Sequence, residues 1–123
     1  MSSLFRTDLK LLVLIGILIF SSSSFASAVA IKGYMVDVAC SARRARKPEP
    51  PTVHSRLCMQ MPSCNDSGYG ILTQEKQFIK FDDDGNQKAR KLLAETNQAN
   101  DFKITVLGSM DGDKMKVSKI ELQ

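Results

Sequence analysis

The sequence predicts a mainly β domain in which five strands close into a Greek-key barrel. Three observations lead there. Short apolar segments alternate with polar residues at period two. Turn-forming residues separate these segments at regular intervals. In two strands the inward face changes parity, which calls for bulges of the kind that bend strands into a closed barrel.

Residues 1–30 read as a secretory signal peptide. Arg6 and Lys10 precede the apolar run 11–20, and the small residues Ala26-Ser27-Ala28-Val29-Ala30 follow a serine-rich stretch. Cleavage is expected after Ala28 or Ala30. The run is about half the roughly 20 residues that a membrane span needs, so no span is expected in the mature chain. No cysteine stands where a lipid anchor would attach. The expected compartment is the periplasm or the exterior. What remains, 31–123, is enough for one domain and holds 15 basic against 12 acidic residues. That excess is too small to indicate nucleic acid.

The elements follow in order. Residues 31–40 read as a strand, with a bulge near Tyr34 where the inward set passes from Ile31, Gly33 and Met35 to Val36, Val38 and Cys40. A long irregular connection, 41–64, opens with the basic run Arg43, Arg44, Arg46 and Lys47 and continues into Pro48-Glu49-Pro50-Pro51, which favours polyproline geometry. Thr52 is expected to cap a short helix over 53–61 that Pro62 ends. Two short strands follow, 68–73 and 77–82. Asn86 is the expected cap of a helix carrying Ala89, Leu92, Leu93 and Thr96 at helical spacing. The clearest hairpin closes the chain: Phe102, Ile104, Val106 and Gly108 alternate inward, Asp111-Gly112 turns, and Met115, Val117, Ile120 and Leu122 return past a bulge near Ser118. Strand, long connection, strand, strand, helix, strand, strand is the element order of the oligonucleotide/oligosaccharide-binding barrel, the OB-fold.

The chemistry-bearing residues crowd together. Cys40, Cys58 and Cys64 are the three cysteines of the chain and His54 is its one histidine. Three is odd, so in an oxidising compartment two are expected to pair as a disulfide and the third to be free, intermolecular or ligand-bound. Cys58 and Cys64 can bridge once Pro62 turns the chain, with Cys40 as the rival partner for either. The same atoms offer a metal site. On a helix His54 and Cys58, four apart, share a side, and Cys40 and Cys64 would complete a Cys3His set for zinc, or for copper(I) if the thioethers of Met59 and Met61 take part. The spacing matches no standard zinc module.

Taken together, Asp37-Val38-Ala39-Cys40, His54-Ser55-Arg56-Leu57-Cys58, Cys64 and Gly68-Tyr69-Gly70 make a D-x-x-C, H-x-x-x-C-x-x-x-x-x-C-x-x-x-G-Y-G pattern. With the Leu107-Gly108 to Asp111-Gly112-Asp113 hairpin, it resembles a group of small exported bacterial proteins of unknown function. The resemblance covers essentially the whole mature chain and implies export, the OB-like barrel and a shared Cys/His site. It brings no activity with it. The segment 43–51 is longer and more basic than the resemblance leads one to expect.

Other chemistries fit less well. A thiol-redox protein needs a low-pKa cysteine, usually at a helix N-terminus, whereas Cys58 is expected near a helix C-terminus, where the dipole opposes a thiolate. A hydrolase using Cys58, His54 and Asp37 has the residue types but no other mark of a substrate pocket. The acidic run before Gly85 fails as a calcium loop, since Lys80 and Lys91 would fall where carboxylates are required. Arg43, Arg44, Arg46 and Lys47 could meet an anionic envelope lipid or polysaccharide. The overall expectation is therefore an exported, non-catalytic binding module without a cofactor, its first connection stapled by the Cys/His cluster. The alternative is a copper- or zinc-binding envelope protein.

Overall fold

The computed structural model describes residues 27–46 and 54–123. Residues 1–26, which hold most of the expected signal peptide, and Lys47, the proline-rich stretch, Thr52 and Val53 lie outside the described residues. In chain order the elements are β1 (Val29–Asp37), α1 (Val38–Arg46), α2 (Arg56–Met59), α3 (Pro62–Ser67), β2 (Tyr69–Leu72), β3 (Phe78–Phe81), α4 (Asp83–Glu95), β4 (Lys103–Asp111) and β5 (Lys114–Leu122). The five strands form one sheet that closes in a ring in the order β1-β2-β3-β5-β4. Every pairing is antiparallel except β3 with β5.

Closure depends on β1. It pairs with β4 from Val29 to Tyr34 and with β2 from Tyr34 to Asp37, so one strand serves two neighbours. Burial changes at the same place, from alternating residues to the continuous buried run Met35-Val36-Asp37. The expected change of face near Tyr34 is thus a change of partner. On the hairpin, Leu107 faces Lys119 and Gly108 faces Val117, which leaves Ser118 as the extra residue of a bulge. A side chain at Gly108 would strike the Lys116 carbonyl oxygen, so the close strand approach at the bulge requires glycine there.

The core lies inside the ring. Met35, Ile71, Phe81, Ile104, Val106, Met115 and Val117 point inward from the strands, Phe102 joins them from just before β4, and Ala89 and Leu93 of α4 and Met59 of α2 close the ends. Each large apolar side chain buried in this way contributes roughly 1.5–3 kcal/mol of transfer free energy. Asp82 caps α4, its Oδ1 accepting from the Gly85 amide at 2.9 Å and from the Val117 amide at 3.1 Å. The helix is thereby tied to β5.

Several expectations need correction. The first strand stops at Asp37, and Val38–Arg46 is helical, because the Asp37 carboxylate caps a helix there; Cys40 and Arg43 therefore lie on α1 rather than on a strand and an irregular loop. Ser55, not Thr52, caps the next helix, which is one turn long. Pro62 opens α3 instead of ending a helix, since proline lacks only an amide hydrogen that the first turn leaves unpaired anyway. Asn86 sits inside α4 and receives the Tyr69 amide at 2.8 Å, while Asp82 does the capping. The hairpin turn is Gly112-Asp113, with φ of 62° at Gly112, the glycine-first pattern of a type II′ turn.

A candidate metal centre at the end of the first strand

The site begins with a capping interaction. Asp37, fully buried at the end of β1, accepts the Cys40 amide on Oδ2 at 3.0 Å. Its Oδ1 accepts from His54 Nε2 at 2.7 Å, and His54 is itself 1% exposed. His54 Nδ1 is buried without a hydrogen-bond partner in the structure. The two residues thus tie the start of α1 to the segment that leads into α2.

The third element is α3. The Val38 amide donates to the Gly68 carbonyl at 2.8 Å, and the Ala39 amide donates to Ser67 Oγ at 3.1 Å. Ser67 Oγ in turn donates to the Cys64 carbonyl at 2.7 Å. These bonds set α1 beside α3 and bring Cys40 to Cys64. One ligand atom from each of Asp37, Cys40 and Cys64 lies within 4.8 Å of the others. Cys64 is buried and Cys40 half-buried.

Neighbours hold α3 from the other side. Tyr69 Oη donates to the Met59 carbonyl at 2.7 Å and to Asn65 Oδ1 at 3.2 Å. Arg90 of α4 donates through Nε to Asn65 Oδ1 at 2.9 Å and through Nη2 to the Asn65 carbonyl at 3.0 Å. Arg56 reaches the Thr96 carbonyl, and Gln60 Nε2 donates to the Leu93 carbonyl at 3.2 Å. Of the helices around the site, α3 is thereby fastened to α4 and α2 to its C-terminal end, so they are not merely laid on the sheet.

The electrostatics favour a cation. Burial pulls the Asp37 pKa upward, but the hydrogen bond and charge of His54, with the Cys40 bond, outweigh it and leave the carboxyl below its ordinary value. Asp37 is thus anionic in a buried place. Burial and then the Asp37 charge push the Cys40 thiol up to about 12, and the same two causes raise Cys64. Without a cation both sulfurs hold their protons. A metal ion placed among the three groups would neutralise the carboxylate and stabilise both thiolates.

The structure sorts the candidate residues. Cys40 and Cys64 meet, which favours that pair over Cys58 with Cys64. Cys58 sits on α2 outside the group, its amide donating to Ser55 Oγ at 3.1 Å. His54 precedes that helix, so His54 and Cys58 do not share a helical face; His54 reaches the group through Asp37. Met59 is buried in the core and Met61 is 53% exposed, so Met59 is accounted for as packing. Arg43 is exposed and Arg44 half-buried on α1, with Arg44 Nε buried and unpartnered. Arg46 ends the same helix. Arg43, Arg44 and Arg46 thus belong to a helix beside the site rather than to a free loop, and Lys47 lies outside the described residues. Asp83 and Asp84 lie exposed in the first turn of α4, where acidic side chains complement the helix dipole.

Asp37 is the group member that the cysteine and histidine count passes over. Its signal was the D-x-x-C spacing, which is also a helix-capping spacing. Comparison with protein-family models, with curated proteins and with solved structures finds no match for this chain.

Proposed function

We propose that this chain is an exported, non-catalytic binding module of OB-like topology that holds a zinc ion on Asp37, Cys40 and Cys64. The observation that carries the reading is the convergence of three ligand atoms, one carboxylate oxygen and two sulfurs, within 4.8 Å of one another at a largely buried point. Two thiolates suit soft and borderline ions, and the carboxylate, a harder donor, favours zinc over copper(I). With Met59 in the core, the case for copper(I) weakens further. His54 bonds to the carboxylate oxygen as outer-shell groups do at metal sites, fixing its orientation.

The strand order, with β1 closing on β4 and β3 running parallel to β5 after the intervening α4, supports the OB-like reading. Export rests on the leader composition. β1 begins at Val29, so cleavage after Ala28 would leave that strand whole, whereas cleavage after Ala30 would remove two of its residues. Three protein ligands leave one zinc position for water or a bound partner. Arg43 and Arg44 on the adjoining helix would make an anionic partner, such as an envelope lipid or polysaccharide, the favoured one.

The test is metal analysis of protein expressed with its leader, isolated under reducing conditions without chelator, alongside Cys40→Ser and Cys64→Ser. The expected result is one zinc per chain in the parent and loss of it in both variants. A parent that carries no metal and takes up none on zinc titration would end the metal reading.

A further inference from the structure

We infer that Cys40 and Cys64 form a redox pair that empties the zinc site by joining as a disulfide. The inference rests on the metal reading above and adds its regulation. The two sulfurs already lie within 4.8 Å of each other, on helices tied where α1 begins and α3 ends, the Val38 amide donating to the Gly68 carbonyl and the Ala39 amide to Ser67 Oγ. Pairing them calls for local adjustment, not for rearrangement of the sheet.

The two states exclude each other. Zinc takes both sulfurs as thiolates, and a disulfide leaves neither sulfur the charge that holds the ion. Asp37 would remain as a single carboxylate, too little for a zinc site. Cys58 lies outside the group and does not substitute for either sulfur.

The oxidant is a small disulfide such as oxidised glutathione. Cys40, the more accessible of the pair, opens the exchange: its thiolate attacks one sulfur of the oxidant, whose sulfur–sulfur bond breaks to release one thiolate and leave a mixed disulfide on Cys40. The Cys64 thiolate then attacks the Cys40 sulfur and displaces the second thiolate. Two protein thiolates lose one electron each, the oxidant gains both and takes up two protons to become two thiols, and the zinc ion departs. A dithiol reductant reverses the change and restores the site.

The measurement uses zinc-loaded protein exposed to oxidised glutathione, with released zinc read by a chromogenic chelator and thiols counted by alkylation and mass. Trypsin leaves Cys58 and Cys64 on one peptide, so the linkage is assigned in Cys58→Ser and checked by thiol count in the parent. Loss of two hydrogens, a cross-link between the Cys40 and Cys64 peptides, and release of zinc in step with the cross-link are expected, all reversed by dithiothreitol and added zinc. Zinc retained with every thiol free would overturn the switch and leave the metal reading standing. A Cys40–Cys64 bond in a chain that binds no zinc when reduced would overturn both and reduce the pair to a structural staple. Linkage through Cys58 in the parent, with Cys40 or Cys64 left free, would overturn the assignment of the pair.

Discussion

The closed sheet and the three short helices between β1 and β2 are stabilised by different means. Inside the ring the buried residues are apolar, from Met35 through Ile104 to Met115, and their contribution involves no charge or proton. In the helical segment the buried groups include the polar Asp37, Ser41 and His54 and the thiol of Cys64, and the energies of the Asp37 carboxyl and the Cys64 thiol depend on their charge and protonation. On this division a change of state in the helical segment is expected to leave the sheet folded.

The largest effect should come from the sheet. Ile104→Ala opens a cavity at a fully buried position and should cost about 2–5 kcal/mol in denaturant unfolding, equally with and without zinc. A zinc-dependent penalty would mean that the sheet and the helical segment do not separate as described. Next comes His54→Ala, which frees the Asp37 carboxylate from its orienting bond. Zinc affinity measured by chelator competition should fall roughly 10- to 100-fold, while the ring-paired strands keep their hydrogen-exchange protection. Unchanged affinity would make the His54–Asp37 bond purely a matter of folding.

A third test uses pH. In the reduced, zinc-free protein the Cys40 thiol is held up at about 12 against an ordinary value of 9.0. Below pH 9 both folded and unfolded chains keep the proton, and the associated stability is fully present. Between about pH 9 and 12 the unfolded chain ionises first, so stability should fall as pH rises. Cys40→Ser should show a shallower decline over that window, seen in thermal melts, and an identical slope would place the alkaline sensitivity elsewhere. The smallest effect is expected at the hairpin turn. Gly112→Ala puts a side chain into open space, so only the positive-φ backbone opposes it, at roughly 1–2 kcal/mol. A much larger loss would show that the turn takes part in more than chain reversal.

Period-two alternation made the sheet legible. Phe102, Ile104 and Val106 against Met115 and Val117 gave the final hairpin, and the break before Ile120 gave the bulge at Ser118, because local pleating decides both. The helical segment was harder to read. Val38 and Cys40 continue the apolar alternation of β1, which by itself reads as more strand, and the side chain of Asp37 decides for a helix. Pro62 carries the same letter whether it ends one helix or begins another. The meeting of Cys40 with Cys64 could not come from spacing at all, since it depends on α1 lying beside α3, a contact between segments far apart in the chain.

The shared pairing of β1 also has a kinetic side. Its first half must find β4, and Val29 sits opposite Gly108, nearly the full length of the described domain away. The ring therefore closes through its most distant contact, which places loop-closure entropy late and makes folding slow relative to helical domains of similar size. A nascent chain cannot complete the sheet until its last strands have been synthesised. Until then β1 has a neighbour along only half of its length, and the seam between β1 and β4 stays open.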